Sequence, residues 1–299
     1  MDTDRTTCRV CPHSCSIAPG TPGRCRGRIN REGRIVPANY GIITSLALDP
    51  IEKKPLNRFY PGSRILSAGS FGCNLNCPFC QNHEIAAAGA ADLFRADEAV
   101  AILEGRGGQS VPDNYLSPEE LTQIAVNTKP KGNIGVAFTY NEPLIGYEYI
   151  LDTSKLVRAA GLKTVLVTNG CVTAETADKV LPYTDALNID LKSFDEDVYG
   201  HTLGGDLNAV KEFIKKAAAM CHVEITTLIV PGMNDSEDEM IRISEWIASL
   251  QNGEDIPLHI TRFFPRHRMT DREPTDVGLI LELTKIASER LKYVYPGNI

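Results

Sequence analysis

Six short segments rich in Val, Ile, Leu and Thr recur along the chain, separated by stretches with a helical pattern. They are Ile65–Ser67, Gly135–Tyr140, Lys163–Thr168, Ala186–Lys192, Val223–Val230 and Leu258–Phe264. Their apolar and polar residues alternate only weakly, which is typical of parallel strands covered on both faces. Strands that alternate with helices predict an α/β fold, and six such repeats predict a partial (β/α)6 TIM-like barrel. Functional side chains are then expected at the carboxyl ends of the strands.

The stretches between these strands have apolar residues three and four positions apart, as in amphipathic helices. Ser117-Pro118-Glu119-Glu120 is a capped helix start with a proline at the first helical position. The other predicted helices are Tyr147–Ala160, Ala174–Leu181, Ala209–Met220, Glu237–Leu250 and Thr275–Leu291. Residues 83–116 are less regular, with one helix predicted near Asp97–Glu104, and they are interpreted as either a lid or a surface excursion.

Composition divides the chain into two parts. Of the 299 residues, 42% are hydrophobic and 23% are charged, which excludes a disordered, collagen-like or coiled-coil chain. Residues 1–62 are rich in Cys, Arg, Gly and Pro and show little sustained periodicity. We therefore predict a small four-cysteine metal-binding module with a connector over residues 1–62, and the barrel over residues 63–299.

The net charge of −7 argues against a general nucleic-acid-binding surface. The first 34 residues are nevertheless basic, with seven arginines and three acidic residues. This excess is interpreted either as a contact for an acidic partner or as solvated surface around a metal site. No stretch reaches the ~18 apolar residues of a membrane span, and the first eight residues lack the apolar core of a signal peptide. A cytoplasmic protein without membrane contact is therefore predicted.

Nine cysteines in a chain without a secretion signal favour metal binding over disulfides. Cys73, Cys77 and Cys80 form a C-x3-C-x2-C loop directly after the first predicted strand. Three thiolates do not complete a structural zinc site, but they can hold three irons of a [4Fe–4S] cluster and leave the fourth iron open. An open iron can bind a substrate or cofactor and pass it an electron. The alternative is a zinc site with His83 as the fourth ligand.

A second group, Cys8, Cys11, Cys15 and Cys25, has the spacing C-x2-C-x3-C-x9-C and is a complete set of four thiolates. Four thiolates suit structural zinc or a closed [4Fe–4S] cluster, and the sequence leaves both open. Zinc would stabilise a short segment with little core of its own, whereas an auxiliary cluster would relay electrons or hold a substrate. The isolated cysteines at positions 171 and 221 are interpreted as small buried apolar residues.

Polar residues end three further predicted strands. The motifs are Thr139-Tyr140-Asn141-Glu142-Pro143, Thr168-Asn169-Gly170 and Asp190-Leu191-Lys192. The Glu142 carboxylate suits a cationic group, and Asn141 adds amide hydrogen bonding. Asp190 and Lys192 stand two positions apart on a strand, so both side chains lie on one face. Each motif alone is typical of a turn or a surface pair, but their order along the chain favours a shared site.

The cysteine loop, with Phe79 before its last cysteine, resembles that of the radical S-adenosylmethionine (SAM) superfamily. Thr139–Pro143 resembles a later segment of the superfamily, and Asp190–Lys192 and Val230–Asp235 are similar to motifs of its glycyl-radical-activating branch. Over nearly the whole chain, the sequence resembles the radical SAM member of the AmmeMemoRadiSam system, which is related to pyruvate formate-lyase activating enzyme. This wider resemblance also rests on the N-terminal cysteine group, His259–Pro265 and Leu291–Asn298.

The resemblance implies two cofactors, SAM and a [4Fe–4S] cluster on Cys73, Cys77 and Cys80. It also implies cofactor-binding roles for Asn141, Glu142, Thr168, Asn169, Asp190, Lys192 and His267. The reduced cluster would cleave SAM to methionine and a 5′-deoxyadenosyl radical, which would abstract a hydrogen atom from the substrate.

The resemblance leaves the substrate open between a glycyl radical enzyme and a small molecule or peptide. It implies a one-electron donor such as flavodoxin or ferredoxin, and Memo-type and AMMECR-type proteins as partners. The alternative function is a non-catalytic iron–sulfur electron carrier or scaffold. An electron carrier needs four ligands per cluster and no SAM pocket, so the three-cysteine loop together with Glu142, Asp190 and Lys192 favours the enzyme.

Overall fold

The computed structural model describes residues 5–93 and 114–299. Its N-terminal segment contains two small antiparallel pairs of strands. They are β1 (Thr6–Thr7) with β2 (Ser16–Ile17), and β3 (Arg28–Arg31) with β4 (Arg34–Pro37). The buried apolar cluster beside the first pair consists of Cys8, Val10 and Ile17. So small a cluster buries little apolar surface, and the segment depends on its contacts with the rest of the protein.

An eight-stranded sheet with its strands in chain order forms the centre of the molecule. Its strands are β5 (Ser45–Pro50), β6 (Arg64–Gly69), β7 (Asn133–Phe138), β8 (Lys163–Thr168), β9 (Ala186–Asp190), β10 (His222–Ile229), β11 (Leu258–Arg262) and β12 (Val294–Gly297). Neighbours from β6 to β12 are parallel, and β5 runs antiparallel at one edge. The predicted α/β fold with a parallel sheet is confirmed, and the partial barrel stays a prediction.

All six predicted strands are present, and their ends differ from the predicted ones by at most two residues. The sequence does not predict the two edge strands, β5 and β12. β12 is short and contains Pro296, which cannot donate a ladder hydrogen bond and is tolerated at the edge of a sheet. β5 lies within the predicted connector although it belongs to the main sheet, and the division of the chain at residue 62 stays a prediction.

Helices connect the successive parallel strands. They are α1 (His83–Ala86), α2 (Ala90–Leu93), α3 (Pro118–Asn127), α4 (Tyr147–Ala159), α5 (Ala174–Val180), α6 (Leu207–Ala218), α7 (Glu237–Ala248) and α8 (Val277–Ser288). The predicted start of α3 is confirmed, because Ser117 and Glu120 form a reciprocal capping box. The helix predicted near Asp97–Glu104 lies outside the described residues. Among those described, no helix is both long enough and apolar enough to cross a membrane.

The N-terminal segment is fixed to the helices around the sheet. The buried guanidinium of Arg28 donates to the carboxylate of Glu148 in α4 at 2.6 and 2.8 Å. The Val10 carbonyl accepts hydrogen bonds from Thr173 N and Thr176 Oγ1, both at 3.0 Å. Because Thr173 lies in the loop after β8, these contacts place the segment at the carboxyl ends of the strands, where the site is expected.

Candidate functional site

A cavity of about 670 Å³ opens at the carboxyl ends of the parallel strands. The loop after β6 lines it, together with residues at the ends of β7, β8 and β9 and residues of β10, β11 and β12. Lys53, which follows β5, lines the same cavity, so residues from both edges of the sheet reach it. The predicted site residues that line this cavity are Cys73, Cys77, Cys80, Asn141, Glu142, Thr168, Asn169, Asp190 and Lys192.

The start of the cysteine loop is held by the end of β7. The Asn141 amide donates to the carbonyls of Phe71 and Gly72, both at 3.1 Å, and its Oδ1 accepts from Ser70 N at 3.0 Å. Gly72 has a φ of 86°, and a Cβ atom there would lie 2.5 Å from the Cys25 carbonyl oxygen. Only glycine fits this position, so Gly72 and Asn141 together set the direction in which the loop leaves β6.

The three thiols of the loop face the cavity from half-buried residues. Burial raises the pKa of Cys77 to about 11, and it raises the pKa values of Cys73 and Cys80 as well. The Cys73 sulfur accepts hydrogen bonds from Leu75 N at 3.4 Å and from Asn169 Nδ2 at 3.6 Å. Thiols in such surroundings are neutral until a metal group displaces their protons, and these three then present ligands to one space.

Glu142 is a buried carboxylate in the wall of the same cavity. Its Oε1 accepts from Thr168 Oγ1 at 2.6 Å and from Leu144 N at 3.0 Å, and its Oε2 accepts from Asn169 N at 2.8 Å. Burial raises the pKa of Glu142 to about 7, although these three donors favour its charged form. The carboxylate is therefore fixed in orientation, and a cationic ligand in the cavity would favour its ionised form.

Asp190 and Lys192 form an ion pair at the end of β9, with Lys192 Nζ 2.8 Å from Asp190 Oδ2. Burial opposes the charge on Lys192, but the neighbouring Asp190 carboxylate outweighs it and raises the pKa of Lys192. Asn234, from the Pro-Gly-Met-Asn-Asp motif, donates to the carbonyls of Lys192 and Leu228, both at 2.8 Å. The buried Asn234 amide thus ties the ends of β9 and β10 together and fixes the charged pair at the cavity wall.

His267 lies beside the cysteine loop, apart from the residues that line the cavity. Its ring stacks on His83 with 4.5 Å between ring centroids, and His83 Nδ1 is 3.2 Å from the Cys80 carbonyl oxygen. Arg268 donates to His267 Nε2 at 3.1 Å and to the carbonyl of Asn76 at 2.7 Å, which joins the two loops. The cofactor-binding role of His267 stays a prediction.

A carboxylate on β10 that the sequence analysis did not single out forms a second polar centre. The buried Glu224 accepts hydrogen bonds from His259 Nε2 at 2.7 Å, His222 Nε2 at 3.0 Å, Arg58 N at 2.7 Å and Asn57 N at 2.9 Å. Burial opposes its charge, but these hydrogen bonds prevail and lower the pKa of Glu224 to about 2. His259 and Asn57 also line the cavity. The sequence signal that could have identified Glu224 is a charged residue inside an otherwise mostly apolar strand.

Tyr140 is another cavity residue whose contacts the sequence does not reveal. It has a φ of 74°, its hydroxyl donates to Asp49 at 2.9 Å, and its ring lies under the ammonium of Lys54, 4.5 Å from the ring centroid. A Cβ atom on Gly69 would lie 2.7 Å from the Tyr140 ring, so the glycine that ends β6 makes room for it. These partners come from distant parts of the chain, so no local sequence pattern predicts the contacts.

The four N-terminal cysteines line a second, smaller cavity: Cys8, Cys11, Cys15 and Cys25. Burial raises the pKa of Cys11 to about 11 and that of Cys25 to about 12. Within residues 5–93 and 114–299, no three or more His, Cys, Asp and Glu side chains are grouped so that they could hold a metal ion. The four thiols line one small cavity, and a metal bound to them stays a prediction.

Comparison with known proteins identifies relatives of the whole chain. The sequence profile of the radical SAM superfamily matches residues 69–243. An uncharacterised protein of Methanocaldococcus jannaschii is 36% identical over 301 residues, covering 100% of this chain and 83% of that protein. The pyruvate formate-lyase 1-activating enzyme of Escherichia coli (strain K12) is 26% identical over 201 residues, covering 66% of this chain and 74% of the enzyme.

Among solved structures, SuiB of Streptococcus suis matches with a TM-score of 0.54 and 13% sequence identity. The match covers 78% of this chain and 48% of that chain. At this level of identity, the similarity concerns the fold alone.

Proposed function

Because the chain belongs to the radical SAM superfamily and is homologous to pyruvate formate-lyase activating enzymes, we propose that it cleaves SAM reductively and abstracts hydrogen from a substrate. The observation that carries this proposal is the meeting of three thiols with a buried carboxylate and an ion pair in one cavity. An electron carrier or scaffold would have no use for the second and third of these features.

The family implies a [4Fe–4S] cluster, and the donor set of the loop fits it. Cys73, Cys77 and Cys80 line one cavity, and three thiolates can hold three irons of such a cluster and leave the fourth iron open. When bound, a reduced cluster supplies the electron that breaks the C5′–S bond of SAM and yields methionine and a 5′-deoxyadenosyl radical. The buried Phe79 lines the cavity beside these cysteines and would shield a bound cluster from water.

The polar residues of the cavity would bind and orient SAM. Glu142 would accept hydrogen bonds from the SAM amino group. Thr168 and Asn169 donate to the Glu142 carboxylate and hold it in place. Asp190 and Lys192 would bind the polar parts of the nucleoside and methionine moieties. These five residues are assigned to binding and orientation, and none needs to act as a general acid or base.

Two predicted cofactor-binding residues receive different assignments. Both the oxygen and the nitrogen of the Asn141 amide form hydrogen bonds with the backbone at the start of the cysteine loop. We therefore assign Asn141 the role of positioning that loop. His267 would act at the rim of the site, where its loop is fastened to the cysteine loop through Arg268.

The proposal also includes the domain organisation of the chain. Residues of the edge strand β12 and residues that follow the other edge strand, β5, line one cavity, which supports a sheet curved into a partial barrel over residues 63–299. The N-terminal four-cysteine module with its connector would occupy residues 1–62, its thiols holding zinc or an auxiliary [4Fe–4S] cluster. We also propose that the protein is located in the cytoplasm.

The substrate would be either a glycine residue of a glycyl radical enzyme or a small molecule or peptide. The homologous activating enzymes support the first class, and the AmmeMemoRadiSam resemblance supports the second. A one-electron donor such as flavodoxin or ferredoxin would supply the electron, and Memo-type and AMMECR-type proteins would be partners in the second case.

The requirement for the cysteine loop provides the test. Protein reconstituted anaerobically with iron and sulfide is mixed with dithionite and SAM, and SAM consumption is followed by chromatography. Cys73→Ala should reduce consumption to background. Cys221→Ala should leave it unchanged, because this thiol donates to the carbonyls of Leu181 and Thr184 and is not part of the cavity lining. Consumption by Cys73→Ala at the wild-type rate would contradict the proposal.

A further inference from the structure

The two cysteine groups lie next to each other, with Asn74 between them. Asn74 directly follows Cys73 in the chain, is fully buried, and places its side chain against the Cys11 thiol. Its Oδ1 accepts from Asn169 Nδ2 at 3.0 Å, and the same Asn169 amide reaches Cys73 Sγ at 3.6 Å. His13 Nε2, from the N-terminal group, donates to the Asn74 carbonyl at 2.9 Å. A continuous chain of contacts therefore runs from Cys11 to Cys73.

Further hydrogen bonds make this connection rigid. Asn74 Nδ2 donates to the Cys171 carbonyl at 2.6 Å, and Cys171 N donates to Asn169 Oδ1 at 2.9 Å. Rates of electron transfer fall steeply with distance, so a short and fixed separation favours it. Zinc has no redox chemistry and would make no use of such a connection, whereas four thiolates also suit a [4Fe–4S] cluster.

The surface around the four-cysteine group is basic. Arg9 lies between Cys8 and Cys11 in the sequence, Arg24 and Arg26 flank Cys25, and all three arginines are exposed. Arg24 also lines the small cavity of the four thiols. With seven arginines and three acidic residues, the first 34 positions have a positive charge excess in a chain of net charge −7, and such an excess suits contact with an acidic protein.

We propose that Cys8, Cys11, Cys15 and Cys25 hold a second iron–sulfur cluster, which receives electrons from an acidic one-electron carrier protein and passes them to the three-cysteine site. In each transfer the reduced carrier loses one electron, the second cluster gains it and then loses it to the first cluster, and no bond or proton changes hands. The relay rests on the proposed function, whereas the second cluster can be tested without it.

The second cluster is tested in a variant with Cys73, Cys77 and Cys80 all changed to Ala, which retains the N-terminal group of four cysteines and the two isolated ones, Cys171 and Cys221. After anaerobic reconstitution, about four irons per chain and an electron paramagnetic resonance signal of a reduced cluster are expected. One zinc per chain without iron would overturn the proposal. The wild-type protein gives an independent count that does not depend on folding of the variant: about eight irons per chain support the second cluster, and about four irons with one zinc exclude it.

The relay is tested by comparing two reductants, reduced flavodoxin and dithionite, in SAM cleavage. Changing Arg9, Arg24 and Arg26 together to Glu should raise the KM for flavodoxin by at least about 10-fold and leave cleavage with dithionite unchanged. Arg242→Glu, a single charge reversal of the same kind on the exposed face of α7, should leave both unchanged.

An unchanged KM for flavodoxin in the triple arginine variant would contradict the basic docking surface. Cys15→Ser should lose flavodoxin-driven cleavage while it retains dithionite-driven cleavage, and equal loss with both reductants would contradict the relay. Absence of SAM cleavage with either reductant in the wild-type protein would instead refute the proposed function, and the iron counts would still decide the second cluster.

Discussion

Glu142 shows how a single carboxylate can be both buried and ready to bind a cation. Three donors, from Thr168, Leu144 and Asn169, hold its two oxygens within 3.0 Å. Burial nevertheless raises its pKa to about 7, so the free site gains and loses this charge near neutral pH. A ligand with an amino group favours the charged form, so the proposed function couples the binding of SAM to the protonation of Glu142.

Replacing this carboxylate by an amide tests its role at the residue scale. Glu142→Gln should weaken SAM binding by about 10- to 100-fold, because one charged hydrogen bond of about 1.5–3 kcal/mol is lost. Equilibrium dialysis of the anaerobically reconstituted protein measures the Kd. Glu212→Gln, on the exposed face of α6, is the matched control and should bind SAM as the wild type does. Equal affinity of both variants would remove Glu142 from the SAM site.

The pH dependence of binding follows from the same pKa. Since burial raises the pKa of Glu142 to about 7, the carboxyl is mostly protonated at pH 6 and mostly charged at pH 8. The affinity for SAM should therefore fall as the pH is lowered through 7, and this dependence should be reduced in Glu142→Gln. Titration of SAM into the protein at several pH values measures both curves. Parallel curves for the two proteins would show that another group is responsible.

At the scale of elements, the connector between β5 and β6 is fastened to the sheet by Glu224. Its two oxygens accept from the backbone of Asn57 and Arg58 on one side and from His222 and His259 on the other. One side chain on β10 thereby fixes a loop and two histidines from different strands. Because Asn57 and His259 line the cavity, the shape of the site depends on this network.

Removal of this carboxylate should destabilise the fold. Glu224→Ala leaves buried donors without acceptors and should lower the free energy of unfolding by about 3–5 kcal/mol. Urea unfolding of the apo protein measures the change, and Glu212→Ala, an exposed control, should stay within about 0.5 kcal/mol of the wild type.

The effect of pH on that difference has a definite sign. The folded-state pKa of Glu224 is lowered to about 2, so its contribution is fully present above the ordinary carboxyl pKa of roughly 4.3. The gap between wild type and Glu224→Ala should then shrink as the pH falls from about 4 towards 2. A gap that is constant over this range would mean that the charge of Glu224 does not stabilise the fold.

The same scale explains what the sequence could predict. β8 and the start of α3 follow from local pattern and capping residues, and the predicted boundaries hold. The cavity-lining motifs were found because parallel strands bring their carboxyl ends to one edge of the sheet. β12, with only four residues and a proline, has no local signal, and the partners of Glu224 and Tyr140 are set by contacts between distant segments.

At the scale of the whole molecule, the two cysteine groups occupy different positions in the fold. The three-cysteine loop faces the large cavity, whereas the four-cysteine group sits beside it in a basic N-terminal segment held by Arg28 and Glu148. In the proposed function the first group acts on bound molecules, and in the proposed relay the second passes electrons to it. Such an arrangement suits an enzyme whose chemistry is started by an electron from outside.

The proposed cleavage of SAM is tested by identifying which of its bonds breaks. The reconstituted wild-type protein is incubated anaerobically with dithionite and SAM, and the nucleoside product is identified by chromatography and mass spectrometry. Reductive cleavage should give 5′-deoxyadenosine and methionine in equal amounts, and neither should form when Cys73, Cys77 and Cys80 are changed to Ala. Methylthioadenosine as the product, or SAM recovered intact from protein with a filled three-cysteine site, would contradict it.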